Sequence, residues 1–138
     1  MVVPERVTEG LLQGLSQSPL QLVMVVHVNH ANELDDSASK ALQSLRNCGI
    51  TMLNQTVLLR KINDNKDALT RLSEALFAAG VLPYYLHQLD QVQGAGHFNV
   101  SDQEALKLLG HCRRQLPGYL VPKLVREVQG SPYKLPLE

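Results

Sequence analysis

Three apolar segments recur along the chain at intervals of about 30 residues, and this spacing limits the possible folds more than any other feature. They cover residues 20–28, 50–59 and 81–89. The first is an almost unbroken apolar run, which is typical of a strand buried on both faces. The first two are each followed by a polar loop and by apolar residues at helical spacing, up to Gly49 and Gly80. Strands and crossover helices repeated at this interval predict a parallel α/β sheet.

The segments on either side of this repeat predict two more helices and an extended end. Residues 5–17 carry apolar side chains on one face, so a crossover helix is expected there. Ser101 and Glu104 form a capping box, which predicts the start of another helix. Residues 119–128 are expected to be extended, and residues 129–136 to form a tail rich in Gly and Pro.

Three such units are too few to close a barrel, which takes about eight strands. The residues predict instead a thin, doubly wound α/β sheet of about three parallel strands with flanking helices, followed by a C-terminal helix and an extended tail. The chain opens with a crossover helix rather than a strand, so we also expect it to be part of a longer protein.

Composition excludes several classes of function. The 13 basic and 13 acidic residues leave no net charge, which removes the electrostatic footprint of a nucleic-acid-binding protein. No apolar stretch reaches the roughly 18 residues of a membrane span, and the N-terminus lacks the pattern of a signal peptide. Two cysteines, Cys48 and Cys112, are too few for a disulfide framework or a zinc ribbon. We therefore expect a cytoplasmic protein with no nucleic-acid or membrane partner.

Polar side chains collect where the predicted strands end, which is where parallel α/β folds hold their functional groups. His27 and His30 lie at the end of the first strand, either as metal ligands or as structural residues. Asn54 and Gln55 lie inside the second strand, where they either bond neighbouring backbone or face a polar cavity. Asp90 follows the third strand, as a turn residue or as a site carboxylate.

Four strings of residues are more specific together than any residue alone. They are HVNHANELD (27–35), LNQTVLLRKINDN (53–65), LPYYLHQLDQVQGAGHF (82–98) and GYLVPKLVRE (118–127). In order and spacing they resemble the C-terminal part of the lysine 2,3-aminomutases, and most of all the branch that makes β-lysine for modifying elongation factor P. The resemblance runs over essentially all 138 residues. It implies an α/β fold that is the C-terminal half of a partial (β/α)6 barrel of the TIM type, whose last three strands are the three predicted here. Residues 1–100 would then form the half-barrel, and residues 101–138 would pack on it as the C-terminal helix and tail.

The resemblance implies a radical enzyme with three cofactors. In this family a [4Fe–4S] cluster reduces S-adenosylmethionine (SAM) to a radical that takes hydrogen from L-lysine, and pyridoxal phosphate (PLP) carries the migrating amino group. Lys134, by default a solvated surface lysine, matches the lysine that holds PLP as a Schiff base. Gln55 matches an interior position near the cofactors.

Two carboxylates hold the distal ammonium of the substrate in this family. Asp90 matches the first of them, through the pattern Gln-x-Asp at residues 88–90. Glu127 occupies the place of the second, where the family usually carries aspartate. The resemblance thus implies that L-lysine is the substrate and that these two side chains bind it.

One motif of the family is missing from the chain. The cluster is bound through CxxxCxxC, and neither Cys48 nor Cys112 lies in such a motif. We assign no metal ligands and interpret the chain as the C-terminal portion of an aminomutase, inactive by itself. The alternative is a non-catalytic binding or assembly module derived from the half-barrel. A histidine-based metalloprotein is a third interpretation.

Geometry also predicts a partner. Half of a barrel leaves an unpaired edge strand and exposes the apolar inner surface, which Val23, Val25 and Leu53 are expected to line. With no net charge, little repulsion opposes association. We therefore expect a homo-oligomer in which a second copy covers this edge or surface.

Overall fold

The computed structural model describes residues 2–89 and 96–138 of the chain. Within these residues the chain forms four α-helices and five strands, joined by loops and short 3-10 turns. The helices are α1 (Glu9–Ser16), α2 (Asp36–Asn47), α3 (Lys66–Ala78) and α4 (Asp102–Gln115), and the strands are β1 (Val23–His27), β2 (Thr51–Val57), β3 (Leu82–Gln88), β4 (Lys123–Arg126) and β5 (Leu135–Pro136). Strand and helix alternate from β1 to β4, as the sequence repeat predicts.

The strands form one sheet in the order β1-β2-β3-β4-β5. The first four are parallel, with His27 opposite Gln55 and His87 opposite Val125, and β5 runs antiparallel to β4. This sheet confirms the predicted α/β class. The expectation of about three parallel strands is one too few, because part of the segment 119–128 pairs with β3 as β4. The division of the chain near residue 100 stays a prediction.

The helix expected over residues 5–17 is two separate elements. A 3-10 turn covers Pro4–Arg6, and α1 begins only at Glu9. Thr8, between them, has extended backbone angles (φ −95°, ψ 162°), and its Oγ1 accepts a hydrogen bond from the Leu11 N–H at 3.2 Å. An N-cap residue leaves the helical backbone conformation, so Thr8 starts a new helix and interrupts the predicted one.

Side-chain caps also fix the starts of the other helices. Asp35 caps α2, Asn65 caps α3 and Ser101 caps α4, each accepting a hydrogen bond from a backbone N–H three residues ahead. The Ser101 cap is the one that its sequence predicts. Among the helices of residues 2–89 and 96–138, none combines the length and the apolar character that a membrane span requires.

The helices cover one face of the sheet. Met52, Leu86 and Leu124 are buried on that face, in two clusters with apolar side chains of the helices. We call the opposite surface of the sheet the inner face. Its residues include Val23, Val25, His27, Leu53, Gln55, Val57, Tyr85 and His87.

The inner face is open at β1. Val23 is 59% exposed and Val25 38% exposed. The expectation that residues 20–28 form a strand buried on both faces is therefore wrong, because the helices pack against one side of β1 only. β1 is also an edge of the sheet in the described part of the chain. These two observations agree with the expected exposure of the inner face.

Candidate functional site

A cavity of about 430 Å³ lies where the carboxyl ends of β1 to β4 meet. Its lining residues are His27, Gln55, Val57, His87, Gln88, Leu89, Glu127 and Gln129. Four strands contribute because the register sets His27 beside Gln55 and Val57 beside His87 on the inner face. The volume falls within the usual range for sites that bind small molecules.

The two amides inside β2 have different functions, since successive side chains of a strand point to opposite faces. Gln55 lies on the inner face, is half-buried and lines the cavity. Asn54 is fully buried on the helix side. Its Oδ1 accepts a hydrogen bond from the Val28 N–H at 2.8 Å, and its Nδ2 donates to the Val28 carbonyl at 3.0 Å and to Thr56 Oγ1 at 2.9 Å. Of the two interpretations left open by the sequence, backbone bonding holds for Asn54 and exposure to a cavity holds for Gln55.

A second buried amide, which the sequence analysis missed, supports the same rim. Asn63 Nδ2 donates to the carbonyls of Asn29 and Val57, both at 2.9 Å, and its Oδ1 accepts from the Leu59 N–H at 2.8 Å. Asn63 therefore joins the loop after β1 to the end of β2. The signal in the sequence was an amide in the polar turn directly behind a strand, where side chains commonly bond nearby backbone.

The loop after β1 uses His30 structurally. His30 Nδ1 accepts a hydrogen bond from the Asn32 N–H at 3.1 Å. The Glu33 carboxylate accepts from the N–H groups of Asn29 and His30, at 2.6 and 3.0 Å. Over the described ranges 2–89 and 96–138, no three His, Cys, Asp or Glu side chains are grouped so as to hold a metal ion.

Lys134 is half-buried, directly before β5, and is stacked on an aromatic pair. Its Nζ lies 5.6 Å from the centroid of the Tyr85 ring, within the range of a cation–π contact. The Tyr85 and Tyr84 ring centroids are 3.9 Å apart, and their hydroxyls are hydrogen-bonded at 3.1 Å. Lys123 Nζ lies 5.6 Å from the centroid of the Tyr84 ring. The β2–β3 register is irregular between Asn54 and Gln55, and Tyr84 is the extra residue of β3 at this point.

His87 lies among the charged groups of the site. Burial lowers the pKa of its imidazole below the ordinary value, and the positive charge of Lys134 lowers it further. His27 acts in the same direction, whereas the Glu127 carboxylate opposes the shift. The ring meets the Tyr85 ring edge-on, with 5.8 Å between centroids and an interplanar angle of 79°. His87 and Glu127 line the same cavity, and the Tyr85 ring links His87 to Lys134.

A polar network anchors the ends of β3 and β4 beside the cavity. Gln88 Nε2 donates to Asp102 Oδ1 at 3.0 Å and also to the Val100 carbonyl. The Arg126 guanidinium binds the same Asp102 oxygen at 2.5 Å. The Gln88 and Arg126 hydrogen bonds hold the pKa of the Asp102 carboxyl below its ordinary value, although partial burial acts against them. The sequence does not predict these contacts, because they depend on β4 lying next to β3.

Two of the four residues named by the sequence resemblance line the cavity. They are Gln55 and Glu127, with Glu127 exposed at its edge. Lys134 is not a lining residue, but it stacks on Tyr85, whose ring contacts the lining residue His87. Asp90 lies outside the described residues. The roles assigned to these four side chains stay predictions.

A scan against models of protein families finds no match. Individual proteins do match. The L-lysine 2,3-aminomutase of Escherichia coli (strain K12) is 53% identical over 138 residues, which is 100% of this chain, and that of Haemophilus influenzae is 48% identical over 134 residues. The L-lysine 2,3-aminomutase of Methanococcus maripaludis is 33% identical over 138 residues. This chain belongs to the lysine 2,3-aminomutase family.

Family membership confirms the resemblance carried by the four sequence strings. The chain spans 40% of the length of the Escherichia coli and Haemophilus influenzae aminomutases. A solved structure, a radical SAM methyltransferase from Sphaerobacter thermophilus, matches with a TM-score of 0.60 at 13% identity. The match covers 85% of this chain and 37% of the methyltransferase. At this identity the likeness concerns the fold, and it agrees with a partial barrel for this aminomutase-family chain.

Proposed function

We propose that the chain is the C-terminal portion of an L-lysine 2,3-aminomutase, which converts L-lysine to β-lysine, and that the β-lysine serves to modify elongation factor P. The observation that carries the proposal is the position of Lys134. A primary amine that is half-buried, stacked on Tyr85 and near enough to His87 to lower its pKa is suited to bind a carbonyl compound beside the cavity.

PLP fits the residues present. When bound, it supplies a conjugated π-system across which an amino group can migrate. Lys134 offers the amine that holds the cofactor's aldehyde carbon, and the stacked Tyr85 ring orients that amine. Gln55 lines the cavity, and its side-chain amide can donate hydrogen bonds to a bound ligand and accept them from it.

The carboxylates provide the proposed selectivity for lysine. An ammonium group that enters a partly dry site needs an opposite charge to offset the loss of hydration. Glu127 supplies a carboxylate at the edge of the cavity, directly after β4, the strand next to the one that carries His87. We assign the other carboxylate to Asp90, as the resemblance implies.

The cysteines do not fit an iron–sulfur cluster bound through CxxxCxxC. Cys112 is buried in the core, where burial raises the pKa of its thiol, and Cys48 Sγ donates to the carbonyls of Leu12 and Ser44. We infer that SAM and the cluster are bound by other parts of the enzyme. Both thiols are free, which is typical of proteins in a reducing cytoplasm, and we propose that location.

We also propose that the protein associates with itself through the inner face. Val23 and Val25 expose apolar side chains next to an unpaired strand edge in the described part of the chain. Exposed strand edges and apolar patches are surfaces that other chains cover. A second copy is the proposed occupant.

Labelling with PLP tests the function. The purified protein is incubated with PLP, reduced with borohydride and mapped by mass spectrometry. We expect the adduct on Lys134 and its loss in Lys134→Ala. Lys123→Ala is the matched control, because Lys123 stacks on Tyr84 at the same distance of 5.6 Å and carries no proposed role.

The outcomes separate the two interpretations. In the enzyme that contains this chain, Lys134→Ala should abolish β-lysine formation, and Glu127→Gln should weaken lysine binding more than PLP binding. An adduct spread evenly over the surface lysines, or one that survives Lys134→Ala, would contradict the assignment and favour a non-catalytic module.

A further inference from the structure

His87 stands at the centre of the inner face around the cavity. It pairs in register with Val57 on β2 and with Val125 on β4, so strands flank it on both sides. Its side chain lines the cavity together with Gln55 and Glu127. A ligand in this cavity therefore lies against the imidazole.

Tyr85 connects His87 to Lys134. The edge-on contact between the two rings orients the imidazole, and the same Tyr85 ring carries the Lys134 ammonium at 5.6 Å from its centroid. The Glu127 carboxylate acts on His87 from the end of β4. His87 thus contacts the ring that carries Lys134 and lines the same cavity as Glu127, and these are the two groups that the proposed function assigns to the ligand.

One nitrogen of the His87 imidazole makes no hydrogen bond in the described structure. This nitrogen is Nε2, and it is buried. Buried polar atoms are nearly always paired, so an unpaired one on a side chain that lines a cavity indicates a ligand or an ordered water. Burial and the nearby positive groups favour the neutral ring, which can donate or accept without repelling a cation.

We propose that His87 is a ligand-binding residue of this cavity, whose Nε2 hydrogen-bonds an amino acid that extends from Lys134 towards Glu127. The inference rests on the proposed function and adds a residue to it. A neutral side chain at this position suits a substrate with an ammonium at its far end, because a fixed positive charge there would repel it.

Two variants at His87 test the inference. His87→Phe keeps an aromatic ring against Tyr85 and removes the hydrogen bond, whereas His87→Gln keeps a hydrogen-bonding group at a comparable reach. L-lysine binding to the PLP-loaded protein is measured by calorimetry. We expect about three- to tenfold weaker binding for His87→Phe and a change within about twofold for His87→Gln.

A second readout keeps the test independent of how well each variant folds. In the unsubstituted protein, addition of L-lysine should shift the nitrogen NMR signal of His87 Nε2. Unchanged lysine affinity in folded His87→Phe, or a His87 signal that does not move, overturns the inference. The borohydride-reduced adduct on Lys134 is measured in parallel, and its absence from the unsubstituted protein overturns the proposed function instead.

Discussion

The side-chain amide of Asn54 pairs with both backbone groups of Val28, accepting from its N–H at 2.8 Å and donating to its carbonyl at 3.0 Å. Val28 directly follows β1, where no further strand residue pairs with β2. The Asn54 side chain therefore supplies the hydrogen bonds that a neighbouring strand would otherwise make to the Val28 backbone. Both groups are fully buried, so neither has water as an alternative partner.

Asn54→Ala is expected to lower the free energy of unfolding by about 1–3 kcal/mol, the cost of leaving buried polar groups unpaired. Gln55→Ala, one residue along and on the inner face, is the matched control and should change it by no more than about 0.5 kcal/mol. Urea unfolding followed by circular dichroism measures both. Equal losses in the two variants would contradict the assignment of Asn54 to the scaffold.

Asp102 makes part of the stability depend on pH. Its pKa is held below the ordinary value of 3.8, so its contribution is present above that value and is lost as the pH falls through the lower, folded-state pKa. The side chain is 47% exposed, and solvent screening limits the effect at neutral pH to about 1 kcal/mol.

The variant Asp102→Asn should therefore have a lower free energy of unfolding near pH 7. Below about pH 4 its free energy of unfolding should fall less steeply with decreasing pH than that of the unsubstituted protein. Urea midpoints measured across a pH series give the slope. Glu74→Gln, which removes an exposed carboxylate from α3, is the control. An acid limb as steep in Asp102→Asn as in the unsubstituted protein would show that the network with Gln88 and Arg126 does not carry the effect.

Two glycines should respond to alanine in opposite directions. Gly110 lies inside α4 with its nearest neighbouring atom, on Arg114, 3.9 Å from an added Cβ, so Gly110→Ala should raise stability by up to about 1 kcal/mol. Gly80 follows α3 with φ of 81°, and an added Cβ would lie 2.5 Å from Arg46 Cδ. Gly80→Ala should cost about 1 kcal/mol or more. Thermal unfolding compares the two, and the same sign in both would contradict the backbone argument.

Self-association through the inner face predicts that Val25→Lys shifts the protein towards the monomer. Sedimentation velocity across a range of concentrations measures this. Leu106→Lys is the control, since Leu106 on α4 is 40% exposed and Val25 is 38% exposed. Association that is unchanged in Val25→Lys, or weakened equally in both variants, would exclude the inner face as the contact.

The order of elements could be predicted because apolar runs and helix caps are local. Ser101 caps α4 as its sequence indicates. Thr8 was missed because a single Thr within an amphipathic pattern does not by itself reveal whether a helix continues or restarts. The fourth parallel strand was missed because a long connection separates β3 from α4, and pairing across it is decided by packing rather than by local sequence.

The site divides in the same way. The strand ends already indicated Gln55 and Asp90, whereas Lys134 and Glu127 came from the resemblance alone, which supplies positions without contacts. Asn54 and Gln55 point to opposite faces because side chains alternate along β2. Which of the two faces the helices is known only once the register with β1 is known. The contact of Asp102 with residues of β3 and β4 requires three elements to meet, which no local pattern predicts.

The alternation along β2 has an evolutionary consequence. Met52, Asn54 and Thr56 are buried on the helix side and maintain the scaffold, while Leu53, Gln55 and Val57 face inwards. Selection can therefore act on the two sets separately. A lineage can replace the inward set to accept a new substrate while the set that folds the protein drifts slowly, and a library randomised at the inward positions should remain largely foldable.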